Sequence, residues 1–198
     1  MLNIIEPKDH HLYQPQIEAL LSFLRIYQDF SPSSEVTENA IFIIAEDEKL
    51  GVYGGAIVYP QNVRALYQKL ARAHLEFLPE KEQIWSTRLC FCADQDDGFL
   101  TLETLEVCEN FYRDLHKVLS EVGKKKGTNY LALTLSSKEH RNTITYGRWS
   151  YLLEVNPSDS SDYRFHGLLA LKNKTNEAFE VQEEDFDFDD QDDADRYV

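Results

Sequence analysis

Seven short runs of apolar, aromatic and β-branched residues predict seven strands. The runs cover residues 1–5, 40–45, 52–59, 84–94, 130–135, 149–155 and 164–172. Nearly every position of 84–94, IWSTRLCFCAD, is apolar, aromatic or β-branched, which is typical of a strand buried on both faces. This run therefore predicts the central strand of the sheet. Gly54 and Gly55 interrupt the third run and predict a bulge or a close approach of another backbone.

Apolar residues at intervals of three and four predict four helices, which cover about 15–30, 63–78, 102–122 and 137–147. Ser136 or Ser137 is expected to cap the last of them. The order strand, helix, strand over 84–135 predicts a parallel pair joined by a right-handed crossover. Runs 40–45 with 52–59, and 149–155 with 164–172, predict two antiparallel hairpins. The pattern indicates an α+β domain with a mixed, mostly antiparallel sheet of six to seven strands flanked by four helices.

Acidic residues are concentrated at the C-terminal end of the chain. The formal net charge is −15, and residues 177–198 contain eleven acidic residues and one arginine. Such dense charge opposes folding, so we expect a domain over 1–176 and a disordered tail over 177–198. Aromatic residues interrupt the acids of this tail and suit docking onto a basic, partly apolar protein surface. They are Phe179, Phe186, Phe188 and Tyr197. The alternative is a solubilising tail that has no partner.

The acidic charge argues against binding nucleic acid, because phosphates are repelled. No run approaches the roughly 18 apolar residues of a membrane span, and the first residues do not read as a targeting segment, so we expect a cytoplasmic protein without membrane insertion. Cys90 and Cys92 lie on the same face of one strand, without the spacing or the histidine of a zinc site. With Cys108 they are interpreted as buried thiols, and no metal site is predicted.

Arg88 breaks the apolar pattern of the predicted central strand, three residues after Trp85. A charge inside such a strand needs either a buried partner or a cleft to point into. The simpler interpretation is an arginine at a strand end that pairs with a surface carboxylate. The alternative is a guanidinium that contributes to a functional cleft.

The order of predicted elements resembles the GNAT acyltransferase fold over residues 1–172. Within it, IWSTRLCFCADQD resembles the strand of autoinducer (acyl-homoserine lactone) synthases and N-acyl amino acid synthases that reads roughly Trp-Glu-x-Ser-Arg-Phe-x-Val-Asp. Trp85, Arg88 and Asp94 fall close to this pattern. Trp149, after Arg148, resembles the residue that follows the last helix in these families, and Asn142 with Tyr146 is similar to the Asn and Tyr of that helix. The resemblance implies an acyl or acceptor pocket lined by Trp85, Arg88, Tyr146 and Trp149.

The sequence departs from these families at positions that carry chemistry. Ser86 replaces the Glu after the tryptophan, and 57–59 lacks an expected arginine. The segment 94–98, DQDDG, places three acids and one glycine where the families bind the coenzyme A pyrophosphate, and like charges repel. Amine acylation needs a base and donors for an oxyanion. Glu46, Glu48, His74 and Tyr146 are candidates for the base, and the sequence does not choose among them, so the catalytic residues are unassigned.

These departures favour a non-catalytic acyltransferase-like adaptor without a cofactor, which binds protein partners through a basic or apolar surface. A bacterial example is an acidic secretion chaperone, or an adaptor of the coupling complex of type IV secretion. The alternative is an active N-acyltransferase that uses acyl coenzyme A or an acyl-phosphopantetheine on a carrier protein, similar to autoinducer synthases. A third interpretation is a regulatory ligand site in the same cleft.

Overall fold

The computed structural model describes residues 1–62, 83–92, 102–155 and 164–171. Within these ranges the chain forms seven strands and four α-helices. The strands are β1 (Leu2–Ile5), β2 (Ile41–Asp47), β3 (Gly51–Asn62), β4 (Gln83–Phe91), β5 (Tyr130–Ser136), β6 (Tyr151–Val155) and β7 (Arg164–Ala170). The helices are α1 (Gln14–Gln28), α2 (Ser34–Asn39), α3 (Leu102–Lys126) and α4 (Ser137–Thr145), and a 3-10 helix covers Pro7–Leu12.

The seven strands form one sheet in the order β1-β2-β3-β4-β5-β7-β6. Neighbouring strands are antiparallel except for β4 and β5, which are parallel. The predicted mixed, mostly antiparallel sheet is confirmed, together with both hairpins and the parallel pair. A parallel connection has to return along the sheet, and α3 is long enough to do so with its 25 residues.

Two hydrophobic layers lie on the two faces of the sheet, because successive side chains of a strand point to opposite faces. Leu89 and Phe91 of β4 face α3 and pack with Phe111 and Leu115. Cys90 lies on the other face, in the layer that contains the apolar side of α1. The central strand is therefore covered on both sides, as its continuous apolar run predicts.

Helix ends follow the local sequence. Pro15 stands in the first turn of α1, and Asp29 ends that helix in the left-handed conformation, with φ 45°. Gly127 follows the three lysines that end α3 and has φ +67°, as expected of a C-terminal glycine. The short helix α2 was not predicted, because its sequence is polar. Ser33 caps it by accepting a hydrogen bond from the Val36 N–H at 3.3 Å.

The Gly54-Gly55 pair allows β2 and β3 to approach closely around a bulge. Ala45 pairs with Gly54 and Glu46 with Val52, so Tyr53 is the extra residue of β3. A Cβ atom on Gly55 would lie 2.3 Å from the carbonyl oxygen of Ile43, which is less than any tolerated contact. Both the predicted bulge and the predicted close approach are present.

Three of the four predicted helices are present in the described ranges. The predicted helix 63–78, the acidic segment 94–98 and the tail 177–198 lie outside the described residues, so these predictions stand as made. None of the helices that the structure describes has the length and apolar content to cross a membrane.

Candidate functional site

The pairing between β4 and β5, near the middle of the sheet, is interrupted, and the stretch where these two neighbouring strands are not paired is called the gap. On one side β4 pairs with β3 over nine consecutive positions, from Gln83 to Phe91. On the other side it pairs with β5 at two positions, where Ser86 is opposite Ala132 and Thr87 opposite Leu133. Both strands continue beyond these pairs as far as Phe91 and Ser136. The last four residues of β4 therefore present an edge that β5 does not pair.

Backbone groups of β4 point into this gap at every second residue, because donors and acceptors alternate along a strand. The Cys92 N–H donates to the Tyr53 carbonyl at 2.7 Å and so faces β3. The Phe91 N–H faces the other way and donates to Oε1 of Glu139 on α4 at 3.1 Å. By the same alternation the N–H and carbonyl of Leu89 are directed into the gap.

Glu139 lies at one end of the gap and is almost completely buried, with 3% of its surface exposed. Besides the Phe91 N–H, its carboxylate accepts a hydrogen bond from the Tyr112 hydroxyl of α3 through Oε2. The Asn142 amide donates to the same hydroxyl at 3.3 Å. The three polar side chains form a buried network that joins α3, α4 and the edge of β4.

Tyr112 keeps its proton at physiological pH and is the side chain that donates to Glu139. Burial, and then the charge of Glu139, raise the pKa of Tyr112 well above its usual value near 10. The ring packs among Phe91, Phe111 and Trp149, which accounts for its burial. A neutral phenol is therefore held against the carboxylate.

The N-terminus of α4 is attached to α1 by Gln28. Ser136 is the N-cap and its hydroxyl accepts a hydrogen bond from the Glu139 N–H at 3.2 Å, as predicted for a serine at this helix start. The Ser136 N–H donates to Oε1 of Gln28 at 3.0 Å. Gln28 is itself buried and also donates to the Ser136 hydroxyl at 3.2 Å. Gln28 therefore holds the N-terminus of α4 through both the backbone N–H and the hydroxyl of Ser136.

Arg88 is the first residue of β4 beyond the positions paired with β5, and its side chain lies on the α1 face of the sheet. It is 4% exposed, and its Cζ atom lies 4.9 Å from the centre of the Phe30 ring. Phe30 in turn stacks on Tyr59 of β3. Burial raises the pKa of Tyr59, and the charge of Arg88 opposes this effect. Arg88 is therefore a buried cation within β4 rather than a surface arginine at a strand end.

The other three predicted pocket residues lie on the α3 side. Trp85 is half-buried, with Nζ of Lys126 4.9 Å from its ring centre. Trp149 is buried and donates from Nε1 to the Tyr112 carbonyl at 2.9 Å. Tyr146 is the C-cap of α4 and packs against the same core. Trp85 and Arg88 are three residues apart on one strand and so point to opposite faces, and the structure does not bring the four residues together in one pocket.

Several predicted site residues lie outside the described ranges or away from the gap. Phe179, Phe186, Phe188 and Tyr197 of the tail and the candidate base His74 are outside the described residues. Glu46 and Glu48 lie at the β2–β3 end of the sheet, separated from β5 by β4. In the described ranges, no three side chains of His, Cys, Asp or Glu are grouped as a metal site would require.

Glu139 and Tyr112 were not singled out from the sequence. A usable signal was present in α4, where the buried positions are Glu139, Asn142 and Thr143, at helical spacing and all polar. The one large aliphatic side chain of this helix, Ile144, is 44% exposed. A helix that buries a polar face indicates a buried polar network.

Comparison with known proteins shows similarity in structure alone. No protein-family model and no curated protein sequence matches the chain. Among solved structures, the CoA-dependent acyl-homoserine lactone synthase MesI superposes with a TM-score of 0.53 at 13% identity, covering 87% of this chain and 89% of MesI. The CoA-dependent synthase BjaI, bound to SAM and isopentyl-CoA, gives 0.51 at 14% identity, over 87% and 83%. TofI, in complex with an inhibitor and MTA, gives 0.53 at 10% identity, over 87% and 92%. The chain has a GNAT-like acyltransferase fold that resembles autoinducer synthases.

Proposed function

We propose that this protein is an N-acyltransferase whose acyl donor is a thioester on a pantetheine arm. The observation that carries the proposal is the gap between β4 and β5 in a fold shared with CoA-dependent acyl transferases. The comparisons give no support to the adaptor or secretion chaperone favoured by the sequence. They support the alternative interpretation, in which acyl transfer is retained.

An unpaired strand edge suits a pantetheine arm for a physical reason. The arm is an extended chain with two amides, and an extended chain with amides binds a strand edge through backbone hydrogen bonds. The N–H and carbonyl of Leu89 are directed into the gap and offer one donor and one acceptor. The acyl donor would lie between β4 and β5, with its thioester close to Arg88.

The reaction requires an amine to attack the thioester carbonyl. The new C–N bond forms, the C–S bond breaks, the nitrogen loses one proton and the sulfur leaves as a thiol. Negative charge develops on the carbonyl oxygen during attack, and a buried cation stabilises it. The guanidinium of Arg88 is buried beside the gap and fits this role.

Thiol release tests the proposal. The full chain is incubated with octanoyl-coenzyme A or octanoyl-pantetheine and with single amines, including amino acids and S-adenosylmethionine, which BjaI binds. Free thiol is measured with a colorimetric reagent, and acylated amine by mass spectrometry. Amine-dependent thiol release with stoichiometric acyl amine is expected. Release that does not depend on any amine, or no release with either donor, contradicts the proposal.

Comparing the two acyl donors distinguishes coenzyme A from a carrier protein as the natural source of the pantetheine arm. Octanoyl-pantetheine lacks the phosphates of coenzyme A, so an acidic protein repels it less. Higher kcat/KM with octanoyl-pantetheine indicates a carrier protein as the natural donor, whereas higher kcat/KM with octanoyl-coenzyme A indicates the free cofactor.

A pair of arginine variants tests the role of the buried cation. Arg88→Met keeps the aliphatic stem and removes the charge, and it is expected to lower kcat at least about a hundredfold, the usual effect of losing one oxyanion donor. Arg164→Met is the control, because Arg164 pairs with Asp29 at 3.0 Å on the surface, where such pairs contribute little. Circular dichroism confirms that both variants are folded. Equal kcat for the two variants would show that Arg88 does not stabilise the transition state.

A further inference from the structure

The start of α4 has the sequence of a capping box but only one of its two hydrogen bonds. In a capping box, the Glu three residues after the N-cap serine returns to bond the N–H of that serine. Ser136 and Glu139 have this spacing, and the Ser136 hydroxyl does accept from the Glu139 N–H. The Ser136 N–H, however, is bonded by Gln28 of α1. The Glu139 carboxylate is therefore available elsewhere.

The Glu139 carboxylate is buried, and burying a charged group costs free energy. A carboxylate at 3% exposure loses its hydration, and the loss is offset by hydrogen bonds from the Phe91 N–H and the Tyr112 hydroxyl. An apolar residue at this helix position would avoid the cost. Unlike an apolar residue, however, Glu139 provides a hydrogen-bond acceptor for the Phe91 N–H, which β5 does not pair.

This contact explains how β4 and β5 separate. Two parallel strands normally continue their hydrogen bonds, because an unbonded backbone N–H in the interior is destabilising. Here the ladder ends at Thr87, and four residues later Phe91 is bonded by a side chain of α4 instead of by β5. Glu139 thus takes the place of β5 at the far end of the gap.

We infer that Glu139 is a positioning residue that holds β4 and β5 apart, so that the edge at Leu89 stays open to the extended arm of the acyl donor. The inference rests on the proposed function for the nature of the ligand. Both oxygens of Glu139 accept hydrogen bonds within the protein, one from the Phe91 N–H and one from the Tyr112 hydroxyl, so the role assigned to Glu139 is to hold β4.

Three variants of the full chain test this role. Glu139→Ala removes the acceptor, Glu139→Gln retains one carbonyl oxygen for the Phe91 N–H, and Thr143→Val is the matched control. Thr143 is also buried in α4, and its hydroxyl bonds Tyr151 at 2.6 Å without reaching β4. If Glu139→Ala does not fold, the double variant Glu139→Leu with Tyr112→Phe replaces it, because exchanging both partners for apolar groups is often nearly neutral.

Binding of octanoyl-pantetheine is measured by isothermal titration calorimetry. Glu139→Ala is expected to weaken binding at least about tenfold, because leaving one buried donor without a hydrogen bond costs free energy equivalent to about that factor. Glu139→Gln restores affinity to within about threefold of wild type, on the same reasoning that one acceptor is retained. Thr143→Val lowers thermal stability without changing affinity. A Glu139→Ala variant that binds as tightly as wild type, or more tightly, overturns the inference.

A second measurement does not depend on any ligand. Cross-strand nuclear Overhauser effects from residues 88–91 to residues 134–136 report whether the two strands pair beyond Thr87. They are expected to appear in Glu139→Ala and to be absent from wild type and from Thr143→Val. If wild type binds no acyl donor, the proposed function fails. The Overhauser effects then still decide whether Glu139 separates the strands, and their absence from Glu139→Ala refutes that role.

Discussion

Replacing Tyr112 by phenylalanine removes one oxygen from the centre of the buried network and leaves the rest of the ring in place. The hydroxyl donates to Glu139 and accepts from Asn142, and the side chain is fully buried. A hydrogen bond to a charged group contributes about 1.5–3 kcal/mol, and its loss leaves a buried carboxylate with one partner fewer. We therefore expect Tyr112→Phe to lower the free energy of unfolding by about 2 kcal/mol at pH 7.

Urea denaturation followed by circular dichroism measures this loss. With an m-value of about 2 kcal/mol/M, the midpoint falls by about 1 M urea. Tyr27→Phe is the control, because the Tyr27 side chain is exposed on α1, and such substitutions change stability by less than about 0.5 kcal/mol. A Tyr112→Phe midpoint equal to that of Tyr27→Phe would refute the argument that the network stabilises the fold.

The same variant predicts a change at alkaline pH. In the unfolded chain Tyr112 ionises near pH 10, whereas in the folded chain burial and the charge of Glu139 keep its pKa well above that value. Above pH 10 the unfolded state therefore binds fewer protons than the folded state, and stability falls as pH rises. Wild type therefore loses stability above pH 10, whereas Tyr112→Phe lacks the hydroxyl that causes this loss. The stability difference between the two proteins should shrink accordingly, and a difference independent of pH would contradict the shifted pKa.

Three further predictions concern other parts of the chain. Gly55→Ala places a Cβ 2.3 Å from the Ile43 carbonyl oxygen, so it should destabilise the protein by about 3 kcal/mol or prevent folding, as measured by urea denaturation. Iodoacetamide should label Cys92 before Cys90 in peptide maps, because the hydrogen bond with Cys92 and burial raise the pKa of Cys90, while Cys92 is half-buried; the opposite order would contradict this geometry. Truncation after Asn176 should leave the melting temperature within about 2 °C, because a tail of such charge density has little apolar surface to bury.

The sheet could be predicted from the sequence because its core strands are continuous apolar runs. A central strand such as β4 is buried on both faces, and its hydrophobicity alone distinguishes it from its surroundings. The parallel pair followed from the helix between β4 and β5. The short helix α2 could not be found in this way, since it buries no residue completely and depends on a serine cap.

The candidate site was less predictable, because it depends on contacts between residues far apart in the chain. Glu139 meets Phe91 and Tyr112 across separations of 48 and 27 residues. Its spacing from Ser136 is that of a local capping box, which gives no hint of these distant partners. Trp85 and Arg88 were grouped by a family resemblance, although strand alternation already placed them on opposite faces. The end of the strand ladder at Thr87 has no sequence signal that we can identify.

The measurement that tests the account most directly is a titration of isotope-labelled protein with octanoyl-pantetheine, followed through backbone amide chemical shifts. Binding between β4 and β5 predicts the largest shifts at Leu89 and its neighbours in β4 and at residues 134–136 of β5, with little change in β1 and β2. Saturable shifts confined to another face of the sheet, or no shifts at millimolar ligand, would contradict the proposal that this gap holds an acyl donor.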